Sequence, residues 1–223
     1  MERQRFLKAG RLAARQIALT ALAAALIEAV KFALNAVPNV EGVTLLCAVF
    51  GYCLGAGGVV AAVVFCAIET AIFGAGTWVI SYFIHWPCVA LVFMLLAKLK
   101  VKNRWIVTLV AGVMTALFGV LTSLVDTGLF SGFFDRFLER FGIIYLRGVA
   151  FYVVQVICNL IVFPLLFKPL VRIFLPAARK AGMCPLPEEQ RKRGMQEVGF
   201  GKDKREGEMS GDTPRNGGEK QNF

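Results

Sequence analysis

The sequence predicts an all-α membrane protein with about six transmembrane helices, and two observations carry this prediction. Its 223 residues have a mean hydropathy of +0.63 and are 57% hydrophobic, whereas only 18% are charged. A soluble domain is roughly half apolar and about a quarter charged. Long apolar runs also recur along the chain, and at about 1.5 Å per residue some ~20 helical residues cross the hydrocarbon core of a bilayer.

Proline and glycine divide the apolar sequence into six predicted spans. They cover residues 16–37, 40–54, 59–73, 77–96, 105–125 and 146–167. Pro38 ends the first span, because proline lacks a backbone donor and moves the preceding residue out of the helical region. Glycines within 55–58 and 74–76 separate the second, third and fourth spans. Lys168 and Pro169 are predicted to end the sixth.

The connection between the fifth and sixth spans, residues 126–145, mixes charged and aromatic residues. Phe133, Phe134, Phe137 and Phe141 recur there at steps of three and four residues. This spacing places side chains on one helical face. The pattern predicts a short amphipathic helix within the connection.

Composition divides the chain into three predicted regions. Residues 1–15 form a basic cytoplasmic segment, residues 16–175 form a six-helix transmembrane substrate-binding domain, and residues 176–223 form a charged cytoplasmic tail. The tail holds ten of the 25 lysines and arginines and eight of the 15 acidic residues. It has too few apolar residues to build a core, so we expect it to be disordered.

The basic residues predict the orientation of the spans. Within the first 175 residues, eleven of them precede the first span, separate the fourth from the fifth or follow the sixth, whereas Arg136, Arg140 and Arg147 lie on the opposite side. Because cytoplasmic loops are enriched in basic residues, both termini are predicted to be cytoplasmic. The net charge of +10 does not predict a nucleic-acid partner, since the positive charges fall between hydrophobic spans.

The stretch 38–87 carries the candidate binding chemistry. It is nearly all apolar, yet it contains Glu41 and Glu69 and ends in aromatic residues that include Trp78 and Tyr82. Ionisable groups within a membrane are costly and usually face a cavity or a partner. A polar and aromatic cluster on an apolar background predicts a small-molecule pocket, which we expect near the outer surface.

Two of these features also have simpler interpretations. Trp78, Tyr82 and Trp86 recur at four-residue steps on one helical face, and an aromatic belt at the membrane interface has the same composition. His85 is the only histidine, and a lone histidine is more often a structural group than a ligand. A metal site is not predicted, because it would have no second histidine to use.

Polar residues of the later spans are candidates for the same pocket. Asp126 follows the fifth span and Arg147 begins the sixth. Gln155 and Asn159 lie further along the sixth span, and hydrogen bonding between helices would explain these two amides equally well. The full predicted set of substrate-binding residues is Asn39, Glu41, Glu69, Trp78, Tyr82, His85, Asp126, Arg147, Gln155 and Asn159.

The first span carries an acid and a base on one face. Glu28 and Lys31 are three residues apart, so they are neighbours on a helix. They either neutralise each other as a structural pair or face the pocket, and Glu69 is the other candidate partner for Lys31. Ala21 and Ala25 form a small-xxx-small pair, which would let another helix approach closely.

The sequence lacks the common motifs of catalysis. It contains no GxxxxGK[ST] phosphate loop, no HExxH zinc motif and no GxSxG elbow, so ATP hydrolysis and an enzyme activity are not predicted. No pair of its six cysteines has CxxC spacing, and we interpret them as packing residues. Neither a cofactor nor a metal is expected.

Four segments resemble the substrate-capture (S) component of energy-coupling factor (ECF) transporters. They are ALTALAAALIEAVKFAL in the first span, PNVEGVTLL after it, then GAGTWVISYFIHWP, and finally QVICNLIVFPLLFKPL; the resemblance covers residues 11–172. It implies a six-span subunit of a bacterial cell membrane that binds a vitamin or a related micronutrient near the outer surface.

The resemblance also implies partners. An S component works with a transmembrane T component and two ABC ATPases, which supply the energy, and its first helix contacts the T component through a small-residue face, here Ala21 and Ala25. Family members often have His and Asn four residues apart in the sixth span. This chain has Gln155 and Asn159 there, so the identity of the substrate is not carried over.

Two other classes of protein stay open at this point. One is a stand-alone membrane receptor for a small ligand, which would signal through the charged tail. The other is a membrane-embedded enzyme that would use Glu69, His85 and Asp126, although no nucleophile and base stand at a recognisable spacing.

Overall fold

The computed structural model describes residues 2–36, 40, 42–131 and 135–183. Within these residues the chain forms helices and no strand. The α-helices are α1 (Glu2–Leu34), α2 (Val43–Leu54), α3 (Ala56–Phe73), α4 (Trp78–Lys98), α5 (Arg104–Val125) and α6 (Phe137–Lys180), and a short π-helix (Asp126–Phe130) continues α5. The predicted all-α fold is confirmed.

Five helices of the described chain are long and apolar enough to cross a membrane. The segments are Gly10–Leu34, Ala56–Phe73, Trp78–Lys98, Arg104–Phe130 and Phe137–Lys180. Large apolar side chains are exposed along them, among them Leu109, Leu117 and Leu165. Such an apolar surface is compatible with lipid tails, so these helices are those expected of a multi-pass membrane protein.

The short helix α2 lies at the centre of the bundle. Eleven of its twelve residues are buried, and it packs against all five other α-helices. Its backbone approaches α4 closely at Gly51, where a Cβ atom would collide with the carbonyl of Ala90. Twelve residues rise only about 18 Å, less than a hydrocarbon thickness of about 30 Å. A sixth full crossing therefore stays a prediction.

Glycines end α2 and α3 where the sequence predicts breaks. Gly55 lies between α2 and α3 with a φ of +59°, and Gly74 follows α3 with a φ of +79°. Glycine adopts this left-handed region without the steric cost of a side chain. Their N–H groups donate to the carbonyls of Gly51 and Thr70, four residues earlier, which closes the last turn of each helix.

Two predicted boundaries are wrong at α6. The amphipathic segment is not a separate helix, because Phe137 and Phe141 belong to the first turns of α6, where their rings stack at 6.3 Å between centroids. Phe133 and Phe134 lie outside the described residues. Pro169 does not end the helix, which continues to Lys180. Interior prolines are tolerated in membrane helices because neighbouring groups compensate for the missing N–H.

The length of α6 exceeds a membrane crossing. Its 44 residues rise about 66 Å, more than twice the hydrocarbon thickness of about 30 Å. The segment 148–167, between Arg147 and Lys168, carries no charge. It falls within the predicted sixth span, 146–167, so the helix extends beyond the apolar segment at both ends.

The C-terminal end of α6 contacts α1 near Gln16. The predicted basic segment, residues 1–15, is continuous with the first span within α1. Gly182, with a φ of +68°, follows α6 and lets the N–H of Met183 donate back to the carbonyl of Ala178. Nε2 of Gln16 on α1 then donates to the carbonyl of Ala181 over 3.0 Å. The predicted tail boundary at residue 176 thus falls inside a packed helix.

Candidate functional site

Three helix termini meet at one end of the bundle. Lys31 is in the last turn of α1, Glu69 lies four residues before the end of α3, and Tyr82 lies four residues after the start of α4. At about 1.5 Å per residue, each lies within roughly 6 Å of its helix terminus. With the N-terminus on the cytoplasmic side, as predicted, this end of the bundle is the outer one.

Lys31 and Glu69 form an ion pair between Nζ and Oε2. The side chain of Glu69 is 2% exposed and that of Lys31 is 26% exposed. A buried charge loses its hydration, and an opposite charge offsets part of that cost. The pairing resolves an alternative left open by the sequence, because both carboxylate oxygens of Glu28 lack a hydrogen-bond partner within the described chain.

Aromatic rings surround the ammonium group of Lys31. Its Nζ atom lies 5.2 Å from the ring centroid of Tyr82, 5.4 Å from that of Phe73 and 5.7 Å from that of Phe65. A cation within about 6 Å of a ring centroid is attracted by the negative face of the ring. These three rings and the carboxylate of Glu69, which we call the Lys31 cage, stabilise one positive charge.

A second layer of rings, the α4–α5 aromatic cluster, adjoins the cage. It consists of Tyr82, His85 and Trp86 on α4 and Phe118 on α5. The His85 ring lies 4.7 Å from both Trp86 and Phe118, and Tyr82 lies 5.6 Å from Trp86, all between centroids. Trp78 extends the cluster toward the start of α4, with its ring 4.8 Å from that of Tyr82. Ring pairs at these separations attract each other.

Four buried polar atoms beside these rings have no hydrogen-bond partner within the described residues. They are Oε1 of Glu69, Oγ of Ser81, Nε2 of His85 and Nε1 of Trp86. Each side chain is at most 3% exposed. The large majority of buried polar atoms in proteins are hydrogen-bonded. Four such atoms on adjacent turns of two helices indicate a place for a polar ligand or for water.

A separate polar contact joins α5 and α6. Nδ2 of Asn159 donates to Oγ1 of Thr115 over 2.9 Å, and the Thr115 hydroxyl donates to the carbonyl of Ala111 over 2.8 Å. Both side chains are buried. The sequence left two roles open for Asn159, a place in the pocket or a helix–helix hydrogen bond. Thr115 is its partner in a bond of the second kind.

Tyr152 fills the space between two glycines on the same pair of helices. A Cβ atom at Gly119 would lie 2.6 Å from its ring, and one at Gly148 would collide with its phenol group. The Tyr152 hydroxyl lies 3.3 Å from the hydroxyls of Thr122 and Ser123. Both glycines therefore make room for one aromatic side chain.

An apolar groove of about 230 Å³ lies beside Tyr152 between α5 and α6. Its lining includes Ala116, Tyr145, Val149 and Val153, and none of the predicted substrate-binding residues belongs to it. In a pair of membrane-spanning helices such a surface suits hydrocarbon chains. The polar cluster at the α1, α3 and α4 termini is the better candidate for a selective site.

The structure brings together four of the ten predicted substrate-binding residues, namely Glu69, Trp78, Tyr82 and His85. Asn159 is buried elsewhere, against α5. Arg147 is exposed, and Asp126 and Gln155 are half-buried. Asn39 and Glu41 lie outside the described residues. Ala21 and Ala25, the predicted partner contacts, are both exposed on α1.

Some residues of the cluster were missed as binding candidates. The sequence leaves Lys31 between a structural pair and a place in the pocket, and the aromatic pattern includes Trp86 without assigning it to the site. Phe65 and Phe118 carry no local signal, since an apolar aromatic residue in an apolar span is ordinary. Ser81 was missed although a hydroxyl one residue before Tyr82 was a usable signal.

The described residues contain no group of three or more His, Cys, Asp or Glu side chains that could hold a metal ion. Of the five cysteines within them, Cys47, Cys53 and Cys66 are buried. The functional groups at the cluster are one carboxylate, one ammonium, a hydroxyl, an imidazole, an indole and several rings.

Comparison of the chain with models of known protein families, with curated proteins and with solved structures found no match.

Proposed function

We propose that this chain is the substrate-binding membrane subunit of an ECF-type ABC importer, which captures a vitamin or a related micronutrient at the outer face. The observation that carries the proposal is the buried Lys31–Glu69 pair with its aromatic surroundings. A pair that served only to join two helices would not require unpartnered polar atoms beside it. In a ligand site, such atoms are free to bond to polar groups of the ligand.

Distant segments of the chain that resemble S components converge on this cluster. The first segment contributes Lys31, and the segment GAGTWVISYFIHWP contributes Trp78, Tyr82, His85 and Trp86. Their shared location is set by the packing of α1, α3 and α4. This convergence supports a common role for the two segments in ligand binding.

The partners in this proposal are a T component and two ABC ATPases. The chain contains no phosphate loop that would bind ATP, so energy for uptake has to come from other subunits. The exposed Ala21 and Ala25 on α1 give a face of small side chains on which a helix of the T component can pack closely.

Transport in this proposal requires the loaded subunit to tilt against the T component until the pocket faces the cytoplasm. The short α2 and the scarcity of charge within the spans lower the cost of such a tilt.

The test is purification of the full-length chain through a C-terminal tag from its native membranes in a mild detergent, followed by mass spectrometry. We expect a T component and two ATPases in the eluate, together with a retained small molecule. An unrelated multi-pass protein with the same tag is the control. A chain that elutes with a ligand but without ATPases would contradict the importer and favour a stand-alone receptor.

A deletion of residues 184–223 separates these two functions further. It removes none of the described helices, since α6 and its cap end at Met183. An importer subunit should retain uptake and its partners after this deletion. A receptor that signals through the tail should keep its ligand and lose its response.

A further inference from the structure

The Lys31 cage has the composition of a site for an organic cation. One carboxylate and three aromatic rings surround a single ammonium nitrogen at 5.2–5.7 Å from the ring centroids. Rings of this kind around a positive charge are how proteins recognise organic ammonium groups. In this structure the charge belongs to the protein itself.

We infer that Lys31 occupies the cation subsite of the pocket as an internal ligand, and that the external ligand carries an organic ammonium group that takes its place. This inference deepens the proposed function and rests on it, since it assigns the class of the captured ligand. In the alternative, a carboxylate of the ligand would pair with Lys31 and leave Glu69 without its cation.

The exposure of the two partners decides which of them moves. The Glu69 side chain is 2% exposed, whereas that of Lys31 is 26% exposed. Lys31 has a flexible four-carbon stem and lies in the last turn of α1. Its ammonium can leave toward the helix end, while Glu69 has no such exit. A ligand therefore replaces the cation of the pair and keeps the buried carboxylate neutralised.

Glu28 provides a second position for the displaced ammonium. It lies three residues before Lys31 on the same face of α1, and neither of its carboxylate oxygens has a hydrogen-bond partner among the described groups. With both carboxyl groups ionised, Glu28, Lys31 and Glu69 together carry two negative charges and one positive charge. If a monovalent cation of the ligand pairs with Glu69 and the displaced Lys31 pairs with Glu28, each of these charges has an opposite partner.

The neighbouring polar atoms indicate the rest of the ligand. The Trp86 indole N–H can only donate, and it has no acceptor within the described residues. His85 Nε2 and Ser81 Oγ also lack partners, and rings of the α4–α5 aromatic cluster adjoin all three. The ligand that fits is a monocation with a planar body and at least one hydrogen-bond acceptor.

The experiment is chemical rescue of Lys31→Ala with n-propylammonium, the fragment that this substitution removes. The full-length variant is held in lipid nanodiscs, and the fluorescence of Trp78 and Trp86 reports binding. We expect a saturable change with propylammonium and none with 1-propanol or propionate. Glu69→Gln in the same background should weaken the effect by roughly 30-fold or more, the cost of losing a buried charge partner.

A second measurement uses the wild-type lysine, in case Lys31→Ala fails to fold. Benzylammonium, which combines the cation with a ring, is titrated into the wild-type chain. We expect saturable binding that Glu69→Gln abolishes and Glu28→Gln weakens about tenfold, because the displaced Lys31 then lacks its second carboxylate. Equal responses to benzylammonium and benzyl alcohol, or no effect of Glu69→Gln, would overturn the inference.

The outcomes separate this inference from the proposed function. The cation subsite would be overturned if no tested compound rescued Lys31→Ala, or if propionate did so and propylammonium did not. Co-purifying ATPases would still support the importer in that case. Specific rescue by propylammonium in a chain that purifies without ATPases would support the cation subsite and contradict the importer.

Discussion

Asn159 on α6 donates a hydrogen bond to the hydroxyl of Thr115 on α5, with 2.9 Å between Nδ2 and Oγ1. The two residues are 44 positions apart and both are buried. In lipid, a polar contact of this kind joins helices that apolar packing alone would leave free to slide. It makes the α5–α6 pair one unit beside the candidate site.

Loss of this hydrogen bond is predicted to destabilise the protein without removing the cation site. Asn159→Ala and Thr115→Val should each lower the free energy of unfolding by about 1 kcal/mol, and their coupling in a double-mutant cycle should be about 0.6 kcal/mol. Denaturation in mixed micelles measures both. Zero coupling, or a loss of ligand binding larger than the loss of stability, would place Asn159 in the pocket instead.

Removal of one partner from the Lys31–Glu69 pair is predicted to cost more than removal of both. Lys31→Met should destabilise the protein by about 3 kcal/mol, because it leaves the buried Glu69 unpaired, and Glu69→Gln by about 2 kcal/mol, because the Lys31 that it leaves is partly exposed. The double variant should cost less than either single variant, since no unpaired charge then stays buried. Thermal unfolding of the three variants checks this order, and strict additivity would contradict a direct pair.

The glycines around Tyr152 are predicted to be intolerant of alanine. Gly148→Ala places a methyl group against the Tyr152 phenol, and overpacking of this kind costs about 1–3 kcal/mol. Tyr152→Leu in the same chain should recover part of the loss. Gly142→Ala on α6 is the matched control, because a Cβ atom there meets nothing within 4 Å. Equal effects at the two glycines would mean that Tyr152 is not wedged as described.

Bulky side chains at the α1 alanine face are predicted to block uptake and preserve ligand binding. Ala21→Trp with Ala25→Trp fills the surface on which the T component is proposed to pack, so transport should fall about tenfold or more. Leu22→Trp is the control, since Leu22 is 50% exposed and points about 100° from Ala21 and about 60° from Ala25 round the helix. Intact uptake in the double variant would count against this contact surface.

Local sequence patterns predicted the helices because their causes are local. The apolar runs, the glycines at 55 and 74 and the basic residues between the fourth and fifth spans predicted the bounds of α2 to α5 within a few residues. The errors concern prolines and charges. Pro169 lies inside α6, although proline usually ends a helix in water; membrane helices tolerate interior prolines.

The partners of the polar residues were decided by tertiary packing. Helical spacing predicted Glu28, three residues away, as a partner for Lys31. The packing of α1 on α3 instead pairs Lys31 with Glu69, which is 38 positions distant. The same holds for Asn159 with Thr115. The apolar sequence requires that each buried charge or amide find a partner, since hydrocarbon cannot hydrate it. Which partner it finds depends on the crossing of helices, and periodicity within one helix contains no information about that crossing.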